Sequence, residues 1–220
     1  MATRPVHFPR LVRRKKYSDY KRYKDFRQEI REDCLQRCAY CDAHELEIGS
    51  EKNFTLDHFR PRSYPEYKKL ENDPYNLIWA CRRCNDLKRD DWPAYGTEGT
   101  VNGKEGYVDP FQVDRKDYFE LHKDGSLRPL RYPARYMIEV LELNRYFLRF
   151  IRQRRDAIYR GLSNLEQHFE IEIGTLLKIR AEALLSDLEL AHLDQEIVNL
   201  KQLKESIELL DAMLKLPLRG

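Results

Sequence analysis

The sequence contains no run of about 18 apolar residues, so no segment is suited to cross a bilayer as a helix. Its first residues, Met-Ala-Thr-Arg-Pro-Val-His, lack the apolar stretch of a secretory leader, and a cytoplasmic protein is expected. No internal repeat occurs, which argues against a solenoid or propeller. Cysteine is scarce. Of five in 220 residues, four fall into two Cys-x-x-Cys pairs, which fits metal binding in a reducing compartment better than a disulfide framework. Hydrophobic residues make up 41% of the chain, enough for a core in one large or two small domains. Charged residues make up 35%, which implies broad solvated or ligand-facing surfaces.

The net charge of +3 conceals an uneven distribution. Residues 1–31 carry eleven Lys/Arg against three Asp/Glu, and residues 131–160 carry eight against three. Residues 161–220 reverse the sign, with six against eleven. A basic front suits a polyanion, and an acidic tail suits a protein partner.

Pro5 and Pro9 resist helix, so residues 1–16 read as an extended arm. Its run Arg13-Arg14-Lys15-Lys16 is either a solvated tail or a contact for nucleic acid or a partner. A helix is expected from Ser18 through Tyr23, Phe26, Ile30 and Cys34, with Ser18 as its cap. A strand ends at Asp57-His58, where Pro61 stops it, and Tyr75–Ala80 is a helix or strand. A short helix follows over Asn85–Asp90. Asp124-Gly125 marks the turn of a hairpin between Phe119–His122 and Leu127–Leu130. After Pro133 the pattern is helical. One apolar stripe runs through Met137, Ile138, Leu141, Leu148 and Ile151. Another runs through Leu193, Ile197, Leu200, Leu203, Ile207, Leu210 and Leu214, and serves either packing within the chain or docking of another protein. Three regions follow: 1–33, a basic arm and helix; 34–130, a core with two knuckles and a hairpin; and 131–220, a helical region suited to partner docking.

Cys38-Ala-Tyr-Cys41 and Cys81-Arg-Arg-Cys84 each present two thiolates, and together they complete a tetrahedron for zinc. Four thiolates close the metal to substrate, so this zinc is structural. His44 is a remote fifth candidate, and Cys34 reads as a buried free thiol. Chemistry is then sought in the polar residues between the knuckles: Asp57, His58, Asn76 and, just after the second knuckle, Asn85.

The order Cys-x-x-Cys, Asp57-His58, Asn76-Leu-Ile-Trp-Ala-Cys81-x-x-Cys84-Asn85-x-x-Lys88 resembles the HNH nuclease family over about residues 34–93. The resemblance implies an α-rich α+β fold: a zinc-braced ββα-metal core with a helical C-terminal region. It implies that His58 is the general base, that Asp57 and Asn85 hold a catalytic Mg2+ or Mn2+, and that Asn76 orients His58 or braces its loop. Where the family usually has a histidine after the second knuckle, this chain has Asn85. An amide and a carboxylate are hard ligands, which favours magnesium or manganese there. Asp57 and His58 are adjacent on a strand and point to opposite faces, so they share a site only where the strand ends or bends. Arg60, Arg62, Arg82, Arg83, Lys88 and Arg89 cluster around the motif as candidate phosphate contacts.

Tyr107-Val-Asp-Pro-Phe111 and Leu141-Glu-Leu-Asn-Arg145 resemble segments of the HNH subunit of Septu-type anti-phage systems and of nucleases found beside retrons. That resemblance implies an ATPase partner of the ABC or OLD-like type and cleavage of nucleic acid, DNA in the first place. The alternatives are a stand-alone restriction-type or nicking nuclease, and a catalytically silent zinc-braced nucleic-acid-binding module.

Overall fold

In the computed structural model, the backbone is described for residues 8–215 and the side chains for residues 8–209. The first seven residues of the basic arm, His7 among them, and the side chains of Leu210 and Leu214 lie outside the described residues. The chain divides into two compact units, one running to Gln153 and the other starting at Arg154. The fold is α+β, about half helical with small sheets.

In the first unit, residues 10–17 form a strap packed on the core rather than a free arm. Leu11 is wholly buried. Arg13 donates to the carbonyls of Pro74 (2.9 Å) and Leu77 (3.1 Å), and Arg14 pairs with Glu29, Glu32 and Asp33. Half of the basic run is thus consumed inside the chain, while Lys15 and Lys16 stay exposed. The expected helix begins later than Ser18. A 3-10 turn at Tyr23–Phe26 leads into α1, Arg27–Asp33. The Ser18 hydroxyl donates to Glu29 instead of capping a helix (2.8 Å).

After α1, Leu35 and Gln36 take positive φ (56° and 57°) and turn the chain into the first knuckle. β1, Phe54–His58, and β2, Leu77–Cys81, form an antiparallel pair with Phe54 opposite Cys81 and His58 opposite Leu77. All five residues of β2 are buried, because α1 and the helix that follows β2 both pack against it. That helix, α2, spans Arg82–Lys88 and stops where Arg89 takes φ 49°. The result is a ββα unit.

Two small hairpins follow, β3 (Val101–Asn102) with β4 (Glu105–Gly106), and β5 (Phe119–Leu121) with β6 (Leu127–Pro129). Gly125 has φ +76°, and a Cβ there would lie 2.2 Å from the Arg149 carbonyl, so the Asp-Gly turn requires glycine. Next come α3 (Ala134–Val140) and α4 (Tyr146–Glu182). Asn144, between them, pins both backbone groups of Leu127 (2.7 and 2.9 Å). The Leu141–Arg145 segment is therefore a clasp on the hairpin.

The second unit consists of α4 from Arg154 onward and α5, Asp187–Lys215. Ion pairs Arg180–Asp194 and Lys204–Glu170 show that the two helices run antiparallel. Ser186 and Glu189 exchange hydrogen bonds as a capping box at the start of α5. Leu193 and Ile197 of the second apolar stripe are buried here, whereas Leu203 is exposed. Among the described residues, no helix is long and apolar enough to cross a membrane.

Candidate active site and metal centre

The first knuckle is shaped by its backbone. The Cys38 N–H donates to Ala43 O, Asp42 N–H donates back to Cys38 O (both 2.9 Å), and Asp42 takes φ 64°. Buried Arg115 grips this turn through Asp42 Oδ1 (2.9 Å) and Ala39 O (3.1 Å). Ala39 N–H donates to Trp79 O (2.8 Å), which ties the knuckle to β2. Cys81 ends β2 and caps α2, and Cys84 lies in the first turn of that helix.

All four sulfurs are buried and lie within 4.8 Å of one another, the one group among the described residues placed to hold a metal ion with three or more His, Cys, Asp or Glu. Cys41 and Cys81 Sγ are 3.9 Å apart. A tetrahedron with Zn–S bonds of about 2.3 Å spaces its sulfurs about 3.8 Å apart, close to the Cys41–Cys81 separation, so the four thiols could hold a zinc ion. Hydrogen bonds from Cys38, Cys81 and Cys84 draw the Cys41 thiol well below its usual range, whereas burial pushes Cys38 well above it and Cys84 is raised as well, so a metal bound here displaces protons. The Arg145 guanidinium adds positive charge, with two N–H groups 3.9 and 3.8 Å from Cys84 Sγ. His44 takes no part. Its Nδ1 accepts from Leu46 N–H and caps a short 3-10 turn. Cys34 is a buried thiol that accepts from Trp79 N–H, and burial pushes it up to about 12.

Asp57 and His58, at the end of β1, are both nearly buried and have separate side-chain partners. Asp57 Oδ2 accepts from the Tyr40 hydroxyl (2.5 Å) and lies 3.4 Å from Lys88 Nζ. Both contacts fall on one oxygen, and Oδ1 has no side-chain partner among the described residues. His58 lies with its ring 4.8 Å from that of Tyr23, and its Nε2 is 2.8 Å from the Glu71 carbonyl oxygen. A carbonyl only accepts, so Nε2 carries the proton and Nδ1 keeps its lone pair. Burial lowers the imidazole pKa, opposed by the Glu71 hydrogen bond, so the ring is neutral at ordinary pH.

Asn76 clasps the loop after His58. Its side chain accepts from Arg60 N–H (2.9 Å) and donates to Arg60 O (3.0 Å), with a third contact to Leu70 O (3.5 Å). Asn85 is partly exposed on α2, and its carboxamide makes no hydrogen bond among the described residues.

The basic residues separate. Lys88, expected among the phosphate contacts, is wholly buried and donates to His58 O (3.1 Å) as well as facing Asp57. It lies four residues from Cys84 on α2, and that spacing turns it toward the sheet. Arg62 pairs with Glu71 (2.5 Å), Arg83 with Glu142 (2.7 Å), and Arg82 donates to Lys52 O (2.9 Å). Arg89 donates to Asp86 O (3.1 Å) and is exposed.

Residues 38–91 match the HNH endonuclease family model. The match takes in both knuckles, both strands of the ββα unit and α2. No curated protein and no solved structure matches the chain. The HNH match supports a nuclease that contacts nucleic acid. Sequence reasoning missed three HNH-domain supports: Tyr40, the inward Lys88 and the Glu71 carbonyl. Tyr40 sits inside the first knuckle and Lys88 one turn after Cys84, so spacing carried a signal for both. A backbone carbonyl thirteen residues from His58 carried none.

Proposed function

We propose that this protein hydrolyses phosphodiester bonds of nucleic acid, with His58 as general base. The observation that supports it is the 2.8 Å contact between His58 Nε2 and Glu71 O. That contact orients the ring and leaves Nδ1 to take a proton from water. Asp57, through Oδ1, and Asn85, through its carboxamide oxygen, would hold a Mg2+ or Mn2+ ion. Their hard oxygens suit an ion that keeps several waters. When bound, such an ion supplies positive charge to the scissile phosphate and the leaving oxygen. Asn76 fixes the loop that carries Arg60 and Arg62. Arg82, Arg83 and Arg89, on and just after α2, are left to contact more distant phosphates. The four-cysteine zinc fixes the first knuckle to α2 and takes no part in the chemistry.

We place this nuclease in an anti-phage complex with an ATPase of the ABC or OLD-like type. That setting rests on the resemblance of the Tyr107–Phe111 and Leu141–Arg145 segments and on the acidic balance of residues 161–220. Purified protein incubated with plasmid tests both levels. Nicked or linear product that appears only with added Mg2+ or Mn2+ supports the nuclease. Dependence on a co-expressed ATPase supports the complex. Intact plasmid under every condition, with oligonucleotides still bound, means a silent binding module.

A further inference from the structure

The loop after His58, together with Tyr23, Trp92 and Tyr95 packed against it, carries aromatic and cationic side chains that catalysis does not use. The Arg60 guanidinium lies over the rings of Tyr67 (5.4 Å) and Trp92 (5.7 Å). Tyr67 and Trp92 are buried and belong to the core. Outside them, Tyr64 and Tyr95 pair with centroids 4.5 Å apart and planes 30° apart, and Tyr95 is 42% exposed. Arg62, 45% exposed, lies over the Tyr23 ring (5.2 Å), and that ring packs on His58. Glu71 joins the two sides, its carboxylate to Arg62 and its carbonyl to His58. The indole N–H of Trp92 has no acceptor among the described residues.

We propose that Tyr64, Tyr95, Arg60 and Arg62 form a stacking platform for unpaired bases beside the cleavage site, so that the substrate is single-stranded there. The inference rests on the nuclease reading of His58. In a duplex, each base face is covered by its neighbours, so an aromatic ring face engages only a base that has left the stack. Guanidinium groups beside such rings bind the phosphates between stacked bases and add cation–π contacts. Lys69 adds exposed positive charge along the same segment, and Lys68 shares the Glu71 carboxylate with Arg62 (3.1 Å). This surface alternates rings and guanidinium groups, the pattern suited to a nucleic-acid strand.

The test uses the full chain without added divalent ion and fluorescein-labelled 20-mers of single-stranded DNA, single-stranded RNA and duplex DNA. Anisotropy is read at one fixed salt concentration. Single strands are expected to bind more tightly than the duplex. Tyr95→Ala should weaken single-strand binding roughly tenfold or more and leave duplex binding unchanged. Tyr95→Phe, which keeps the ring, should bind as the parent does. The DNA and RNA arms decide which single strand is preferred. Equal loss on single strands and duplex, or no loss in Tyr95→Ala, overturns the platform. A wild-type protein that shows the single-strand preference but cleaves nothing with Mg2+ or Mn2+, with or without the co-expressed ATPase, overturns the nuclease reading and, with it, the placement of this platform at a cleavage site.

Discussion

Lys88 and Asp57 form an ion pair inside the ββα unit, with Nζ 3.4 Å from Oδ2 and the lysine wholly buried. The same ammonium donates to the backbone carbonyl of His58. One side chain of α2 therefore fixes both the Asp57 carboxylate and the end of β1.

Lys88→Met should be strongly destabilising, since it leaves a nearly buried carboxylate with only the Tyr40 hydroxyl. Breaking one partner of a buried pair costs about 3–5 kcal/mol. Adding Asp57→Asn should recover part of that loss, because the unpaired charge is gone. Denaturant unfolding of both variants measures it. A Lys88→Met protein as stable as the parent would contradict the pair.

The pH profile follows from His58. Burial lowers its pKa, so the neutral base persists to lower pH than for an ordinary histidine, near 6.5. Activity should be fully present at neutral pH and fall as pH drops through the lowered pKa. The acid limb of kcat/KM is expected below the ordinary histidine value. A limb centred above it would mean another group titrates.

Cys84→Ser should lose zinc and become protease-sensitive, as structural zinc contributes directly to folding. Cys34→Ser should keep its zinc, since among the described residues the Cys34 thiol hydrogen-bonds to the Trp79 N–H and is not one of the four grouped cysteines. Metal analysis of both variants checks this. Full zinc occupancy in Cys84→Ser would rule out the four-thiolate cage.

Arg145→Gln should bind zinc roughly 10–100-fold more weakly, the usual effect of removing a partner of a metal ligand. Two guanidinium N–H groups face Cys84 Sγ and offset the charge of the thiolates. Arg145→Lys keeps the charge and should lie between. Competition with a chromogenic chelator gives the affinities, and equal values for all three proteins would remove Arg145 from the metal site.

The strand that ends before Pro61 and the paired knuckles were legible because their signals are local, whereas the apolar run before Cys81 reads equally as helix or strand, and the ββα arrangement came from the family resemblance. The Asp-Gly hairpin was legible for the same reason. Lys88 was misread because Arg82, Arg83 and Arg89 around it are exposed, and charge alone does not say which helix face is buried. Arg13 and Arg14 read as solvated or as contacts for nucleic acid or a partner for a similar reason. Their acceptors, Pro74, Leu77 and Asp33, are brought to them only by the fold. The Glu71 carbonyl that orients His58 belongs to the backbone, and no side-chain pattern announces it.

The central claim is that His58 is the base. His58→Ala, with His58→Asn as a variant that keeps a donor near Glu71 O, should be assayed for plasmid cleavage with Mg2+ or Mn2+. Zinc content is measured on the same preparations. General-base catalysis contributes about 10²–10⁴-fold, so cleavage should fall by at least about a hundredfold while zinc stays bound. Retention of more than about a tenth of the parent rate in a zinc-loaded, folded variant would contradict the account.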